Sequence, residues 1–316
     1  MSKIHGTVTS VTPLTDRITE FRIARTDGAA LPAWHAGAHV LVDLPDGDTR
    51  AYSLIDFDAP GAGPTDYRIA VQREPEGKGG SLHMHGLAAG SALSFSAPRN
   101  SFPLQDGAPA LLIAGGIGIT PMISMAATLK NAGQQFDLHY AGRTKGMMAY
   151  AEKLRDHFGD PVHLHADDDP ATALDLDALL GTVAPDAHLY VCGPKGLITA
   201  TQQRAGLAGI NAERIHVELF DAPQEQQGDT AFEVEINSGD VFTVAPGQSI
   251  IEALEEAGVD VMYDCKRGDC GICQCDVISG TPDHRDVVLS EAERAAGKVM
   301  QICVSRSKSP RLVLDI

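Results

Sequence analysis

The sequence predicts a multidomain α/β and β chain in three parts: an antiparallel β-barrel, a doubly wound α/β unit and a small C-terminal β-grasp module. Three observations carry this prediction. Short β-rich runs separated by turn residues fill the first part of the chain, as in a small barrel. Strand-like and helix-like stretches then alternate over about 110 residues, the pattern of a parallel sheet covered on both faces. Near the end, Cys265, Cys270 and Cys273 stand as C-x4-C-x2-C, with Cys303 downstream.

The 316 residues suffice for two or three domains, each with its own core. A hydrophobic content of 43% and a charged content of 21% are those of a globular protein. The net charge of −17 argues against nucleic acid as a partner, since phosphates need a basic face. No run approaches about eighteen consecutive apolar residues, and Met1-Ser2-Lys3-Ile4-His5-Gly6 lacks the apolar core of a signal peptide. No membrane span and a cytoplasmic location are therefore expected.

In the barrel region, strands are expected over 18–23, 39–44, 67–71 and 92–95, with turns at 45–48 and 60–64. Arg50-Ala51-Tyr52-Ser53-Leu54 alternates so that Arg50, Tyr52 and Leu54 share one face and Ser53 takes the other. An arginine beside an aromatic ring and a hydroxyl suits a phosphorylated aromatic cofactor, the guanidinium taking the phosphate. An ordinary amphipathic strand gives the same alternation. Gly77-Lys78-Gly79-Gly80-Ser81 precedes a helix expected over 82–87. Such a turn offers free N–H groups to an anion, with Ser81 capping the helix or touching phosphate; a plain turn is the other reading.

Residues 103–107 have linker composition, and the apolar run 110–114 reads as a strand buried on both faces. It leads into Gly115-Gly116-Ile117-Gly118-Ile119-Thr120-Pro121 and a helix over 122–129, with Thr120 as N-cap and Pro121 in the first turn. Strand, glycine turn and helix together bring a pyrophosphate to a helix N-terminus, although the spacing is not G-x-G-x-x-G and is weak alone. Strands follow over 136–140, 162–165, 187–192 and 215–219, and helices over 149–157, 175–180 and 195–208. The ligand of such a sheet lies past the carboxyl ends of the strands, where both glycine turns and Cys192 emerge. Cys192 is then either a neighbour of the nicotinamide or a small buried side chain. Residues 222–229 read as a linker.

Over 230–316, strands are expected at 232–236 and 241–244 around the Asn237-Ser238-Gly239-Asp240 turn. Ser249 and Glu252 form a capping box for a helix that Gly258 stops. Further strands are expected over 274–278, 299–304 and 312–314, the second carrying Cys303. The cysteine spacing matches a plant-type [2Fe-2S] site held by Cys265, Cys270, Cys273 and Cys303. Gly268 and Gly271 would supply the positive φ angles that a chain wrapped around a cluster needs. A zinc site more often shows two C-x2-C pairs, and disulfides suit an exported chain better. Cys275 reads as a small packed side chain. The histidine pairs His83/His85 and His163/His165 lack companion ligands and read as packed or solvated.

Arg50-Ala51-Tyr52-Ser53-Leu54, the glycine turn at 115–121, Cys192-Gly193-Pro194 and the cysteine loop occur in one order. Asp283-His284-Arg285-Asp286 and Val304-Ser305-Arg306 join them. On these residues the chain resembles, almost end to end, the phthalate dioxygenase reductase family, which includes vanillate O-demethylase reductases. The resemblance implies an FMN-binding ferredoxin-reductase-type barrel over 1–102, an NAD-binding domain over 103–221 and a plant-type ferredoxin over 230–316. It implies that Arg50, Tyr52 and Ser53 contact FMN, with Gly79, Gly80 and Ser81 at its phosphate. Gly116, Thr120, Cys192 and Gly193 would line the nicotinamide pocket, with Gly115 and Gly118 in the same turn. Phe220 would stack on the flavin, placing Ser53, Cys192 and Phe220 nearest the hydride step.

Asp167 falls at the family's ribose contact and favours NADH, whereas Arg143 would suit the 2′-phosphate of NADPH. With no extended adenine lobe in view, FMN is expected and FAD is the alternative. A nicotinamide gives electrons in pairs and an iron–sulfur cluster takes them singly, so a flavin between them is the converter. The implied route runs from NADH to flavin to [2Fe-2S] to a terminal Rieske-type oxygenase acting on an aromatic or small carboxylate. A free-standing quinone reductase and a non-enzymatic redox sensor are the competing readings.

Overall fold

Alternating apolar residues build the first sheet: β2 buries Phe21 and Ile23 while Glu20 and Arg22 stay half-exposed. The computed structural model describes residues 3–61, 63–77, 79–220 and 228–316. Its two compact units are Met1–His216 and Val217–Ile316. Strands β1 (Lys3–Pro13), β2 (Ile18–Arg25), β3 (His39–Asp43), β4 (Thr49–Ser53), β5 (Asp66–Gln72) and β6 (Ala92–Ser96) lie in the order β4-β3-β6-β1-β2-β5, all antiparallel. The Ile55 N–H, just past β4, donates to the Arg68 carbonyl on β5 at 2.9 Å, which draws the two edge strands together into a barrel. Phe21, Ile23, Val40, Val42, Tyr67, Ile69 and Phe95 fill it. Strand β1 had no counterpart in the expected strands, because Lys3, His5 and Gly6 interrupt its apolar pattern.

Helix α1 (Gly80–His85) begins two residues before the expected start, with Gly79 at its N-cap in the left-handed region. Ser81 is thus inside the helix and does not cap it. Its hydroxyl instead accepts the Glu74 N–H at 2.9 Å.

The second sheet has β7 (Ala110–Gly115), β8 (Phe136–Gly142), β9 (Val162–Ala166), β10 (His188–Cys192) and β11 (Ile215–Glu218) in the order β11-β10-β7-β8-β9. Every residue of β7 is buried, as a central parallel strand requires. Helices α2 (Ile119–Asn131), α3 (Ala151–Phe158), α4 (Leu176–Leu180) and α5 (Lys195–Leu207) alternate with the strands. The chain runs outward through β8 and β9, then returns to place β10 on the other side of β7, so the switch point lies between β7 and β10. Helix α2 begins at Ile119, so Thr120 lies in its first turn rather than at the cap. Its hydroxyl donates to the Ile117 carbonyl at 3.0 Å. Within this unit the Ser124 hydroxyl of α2 donates to the Leu54 carbonyl and accepts the Asp56 N–H, tying helix to barrel.

In the second unit β12 (Phe232–Glu235), β13 (Val241–Val244), α6 (Ile250–Glu256), β14 (Gln274–Ser279), β15 (Pro282–Asp283), α7 (Glu291–Ala296), β16 (Val299–Gln301), β17 (Arg306–Ser307) and β18 (Arg311–Leu314) follow one another. The main sheet runs β13-β12-β18-β14-β16 with β12 and β18 parallel, and Ile250, Ile251 and Leu254 of α6 pack on it. The Ser249–Glu252 capping box is present; α7 has a second one, Ser290–Glu293, that the sequence reading passed over. The strand expected to reach residue 304 ends at Gln301. There the Ser305 N–H bonds back to the Gln301 carbonyl at 3.0 Å, so Cys303 sits in a turn rather than on a strand.

Of the expected linker, 222–227 lie outside the described residues. Asp229 is not linker-like: its carboxylate, 6% exposed, pairs with Arg285 at 2.6 Å. Among the described residues no helix is long and apolar enough to cross a membrane.

Candidate functional site

The cysteine loop is shaped by backbone that an ordinary L-residue disfavours. Gly268 and Gly271 take φ of 80° and 77°, as expected, and Lys266 joins them at 52°. A Cβ on Gly268 would come within 2.6 Å of Val304 and 3.0 Å of the Asp286 backbone. The loop is thus pressed against the two C-terminal segments that the sequence singled out, and the Val287 N–H bonds to the Gly268 carbonyl at 2.9 Å. Asp286, fully buried, accepts the Val288 and Leu289 N–H groups and braces its own segment. Arg306 donates to the carbonyls of Gln248, Thr230 and Ala245.

This arrangement brings the four thiols together. Cys265 is in hydrogen-bond reach of both Cys270 and Cys303, and Cys273 of Cys303. Cys273 and Cys303 are buried. Those shared hydrogen bonds, aided by the Arg267 N–H at 3.3 Å, hold the Cys265 thiol well below its ordinary range and favour a thiolate there. Among the described residues no three His, Cys, Asp or Glu side chains are grouped to hold a single metal ion. A two-iron cluster divides its four thiolates between two irons, and this donor set fits [2Fe-2S]. Burial lifts the Cys275 thiol up to about 12, and it packs against the core as a small apolar group.

In the first unit, β4 carries Arg50 and Tyr52 half-exposed and Ser53 buried. Arg50 pairs with Asp48 at 2.5 Å and lies against α1, where a Cβ on Gly80 would sit 2.7 Å from its Cγ. The arginine and the glycine turn expected at one phosphate are thus neighbours, and the space before Gly79 is open. Burial pushes the Tyr52 hydroxyl up to about 12, so it remains a neutral donor. These groups suit the phosphate and ring of a flavin.

The carboxyl ends of β7 and β10 meet backbone to backbone. A Cβ on Gly118 would lie 2.2 Å from the Cys192 carbonyl oxygen, and one on Gly193 would lie 2.9 Å from Gly115. Cys192 itself is fully buried at the end of β10. In front of these contacts Gly116, at φ 55°, has nothing nearer than Gln72 at 3.9 Å. A closely packed floor with an open glycine above it is what a nucleotide crossing the switch point needs. Asp167 is exposed at the end of β9, its N–H bonded to the Gly142 carbonyl at 3.0 Å. Arg143, also exposed, follows β8 next to it, so both coenzyme-selecting candidates stand at one edge. Phe220 is half-buried just past β11.

Sequence reasoning missed the buried charged group around the cysteine loop: Glu218, Arg267 and Asp269. Arg267 lies 3.7 Å from Glu218 and 3.5 Å from Asp269. Burial lifts the Glu218 carboxyl up to about 8 and that of Asp269 to about 7, against the pull of Arg267. Charged residues at a strand end or in a loop read as solvated in sequence, and nothing local signals that these are enclosed.

A thiol quartet of this spacing, a glycine-floored switch point and an arginine-bearing barrel are the parts of a flavin-dependent iron–sulfur oxidoreductase. Residues 234–308 match the model of the 2Fe-2S iron-sulfur cluster binding domain. The chain is 42% identical to vanillate O-demethylase oxidoreductase of Pseudomonas putida over 95% of both chains. It is 39% identical to tetrachlorobenzoquinone reductase of Sphingobium chlorophenolicum over 100% of this chain and 99% of that one. The solved phthalate dioxygenase reductase, described as a modular structure for electron transfer from pyridine nucleotides to [2Fe-2S], superposes with a TM-score of 0.73. There the identity is 35%, over 100% of this chain and 98% of that one. Full-length CYP116B46 from Tepidiphilus thermophilus gives a TM-score of 0.77 at 33% identity; the chain spans 99% of itself but only 42% of that longer protein. The chain belongs to the phthalate dioxygenase reductase family.

Proposed function

We propose that this oxidoreductase is the NADH-dependent reductase component of an oxygenase or demethylase system, with FMN on 1–102, the nicotinamide nucleotide on 103–221 and [2Fe-2S] on 230–316. One observation carries the reading: a thiol quartet fitted to a two-iron cluster shares a chain with a glycine-floored nucleotide switch point. When bound, the nicotinamide supplies electrons as a pair, the flavin divides the pair, and the cluster passes single electrons on.

The residues divide this work. Gly115, Gly118 and Gly193 form the floor beneath the nucleotide, Gly116 leaves room for it, and Thr120 holds the turn through Ile117. Cys192 and Phe220 border the nicotinamide. Arg50 neutralises the flavin phosphate near Gly79 and Gly80, while Tyr52 and Ser53 orient its ring. Cys265, Cys270, Cys273 and Cys303 hold the irons. Asp167 takes the adenosine ribose and selects NADH. A Rieske-type terminal oxygenase is the acceptor, a role matching the demethylase oxidoreductase named above.

An anaerobic NADH titration followed by visible absorbance and electron paramagnetic resonance tests the route. Flavin bleaching with a rhombic cluster signal is the expected result; bleaching with no cluster signal would refute it. Heat-released cofactor is expected to co-migrate with FMN and not FAD, and NADPH to reduce the flavin at least about tenfold more slowly than NADH. Cys270→Ser is expected to abolish cytochrome c reduction while leaving flavin reduction by NADH. A second reading, a free-standing quinone reductase, draws on the tetrachlorobenzoquinone reductase likeness. Quinone turnover far above the rate with any oxygenase would favour it.

A further inference from the structure

The buried charged group beside the cysteine loop has no part in holding a cluster, yet it joins that loop to the chain on the other side of Phe220. Glu218, the last residue of β11, is 2% exposed, and the Asp269 side chain is 3% exposed. Asp269 Oδ2 accepts the Leu219 N–H at 2.7 Å. Asp269 is also in hydrogen-bond reach of the Cys265 thiol and adjoins Cys270 in sequence. A single carboxylate therefore spans from the residue before Phe220 to a cysteine of the quartet. Apolar side chains would fill this space at lower cost than two carboxylates and a guanidinium, whose desolvation outweighs much of their attraction. A group that stability alone does not favour, set between two elements of an electron route, has the character of a positioning device.

We infer that Asp269 is a positioning residue for electron transfer: its hydrogen bond from the Leu219 N–H fixes residues 218–220, and with them Phe220, against the cysteine loop for the single-electron step. The inference rests on the route proposed above. Each transfer would move one electron from the reduced flavin to the cluster, and two would return the flavin to its oxidised form with release of its N5 proton to solvent. Arg267 supports Asp269 from 3.5 Å, and Glu218 lies on the other side of the guanidinium at 3.7 Å. Asparagine at 269 retains an oxygen that can accept the Leu219 N–H, whereas alanine does not.

The test uses the full chain with its native cofactors and three variants: Asp269→Ala, Asp269→Asn and Leu219→Pro. The last removes the N–H donor without touching the cysteine loop. Amide hydrogen exchange over 218–220 is expected to rise at least about tenfold in Asp269→Ala and to stay near wild type in Asp269→Asn. On rapid mixing with NADH, the flavin bleaching rate of each variant is the reference against which its cluster reduction is read, because Phe220 lies in the released segment. Cluster reduction slows at least about tenfold in Asp269→Ala and Leu219→Pro, with unchanged cluster g-values, and is spared in Asp269→Asn.

Wild-type exchange in Asp269→Ala overturns the inference, as does wild-type cluster reduction in Leu219→Pro or an Asn variant as slow as the Ala variant. Should Asp269→Ala not load its cluster, Leu219→Pro and the exchange measurement decide. Wild-type protein whose flavin bleaches without cluster reduction would instead defeat the proposed route, leaving the exchange result to judge the hydrogen bond itself.

Discussion

Gly116 and Gly118 stand two positions apart in one turn and answer to different constraints. Gly118 is required by contact: a Cβ there meets the Cys192 carbonyl oxygen at 2.2 Å and its carbon at 2.5 Å, backbone that cannot rotate away. Gly116 is required by conformation, with φ at 55° and open space around it. Gly118→Ala is expected to destabilise the first unit by about 2–3 kcal/mol and to weaken flavin reduction by NADH. Gly116→Ala should cost about 1 kcal/mol, the ordinary penalty for a left-handed residue. Urea unfolding of both variants checks the order, and equal losses would contradict the contact argument. The glycines themselves were legible in sequence as the turn between a buried strand and a helix. The reason for Gly118 was not, because its partner Cys192 lies a whole strand-and-helix excursion further along the chain.

On the face of β8 and β9 three imidazoles form a ladder. His139 stacks on His163 and His165 with ring centroids 4.5 and 5.1 Å apart, its Nδ1 lies 2.9 Å from His165 Nε2, and Asp137 faces His163. Burial first, then the two neighbouring rings, lowers the His139 pKa to about 3, and His165 is also lowered. An unfolded histidine takes its proton near pH 6.5, so between there and the folded value the unfolded chain binds more protons. The ladder's contribution to stability is therefore complete above about pH 6.5 and lost as the pH falls, with a slope up to about 1.4 kcal/mol per pH unit for each histidine. Urea midpoints measured from pH 7.5 to 5 should fall, and His139→Phe, which keeps a stacking ring without a proton site, should flatten the slope. An unchanged slope in that variant would remove the ladder as its source. The sequence reading took His163 and His165 as packed or solvated, without ligand chemistry. The third member comes from strand register, His139 opposite His163, which pairing between strands decides. Local signals fared better: the Ser249–Glu252 box marked α6 correctly, and the same pattern at Ser290 and Glu293 would have marked α7.

Across the whole molecule the net charge is −17, and residues 229–316 carry 16 Asp and Glu against 8 Lys and Arg. Such a surface speeds encounter with a positively charged acceptor and opposes a negative one, in both cases less as salt is added. Reduction of cytochrome c is expected to slow several-fold between about 10 and 200 mM salt while reduction of ferricyanide rises. Two rates that respond to salt in the same direction would contradict this. The sequence by itself determined the three architectures, the cysteine quartet and the two glycine turns, because hydrophobic period, ligand spacing and turn chemistry act over a few neighbouring residues. Only the tertiary structure decided that Gly118 packs on Cys192, that Arg50 lies over Gly80, that Cys303 leaves its strand in a turn, and that Asp269 holds the Leu219 amide. Each of these joins residues distant in the chain, and burial, which turns an ordinary loop aspartate into an enclosed carboxylate, exists only once those distant segments have closed around it.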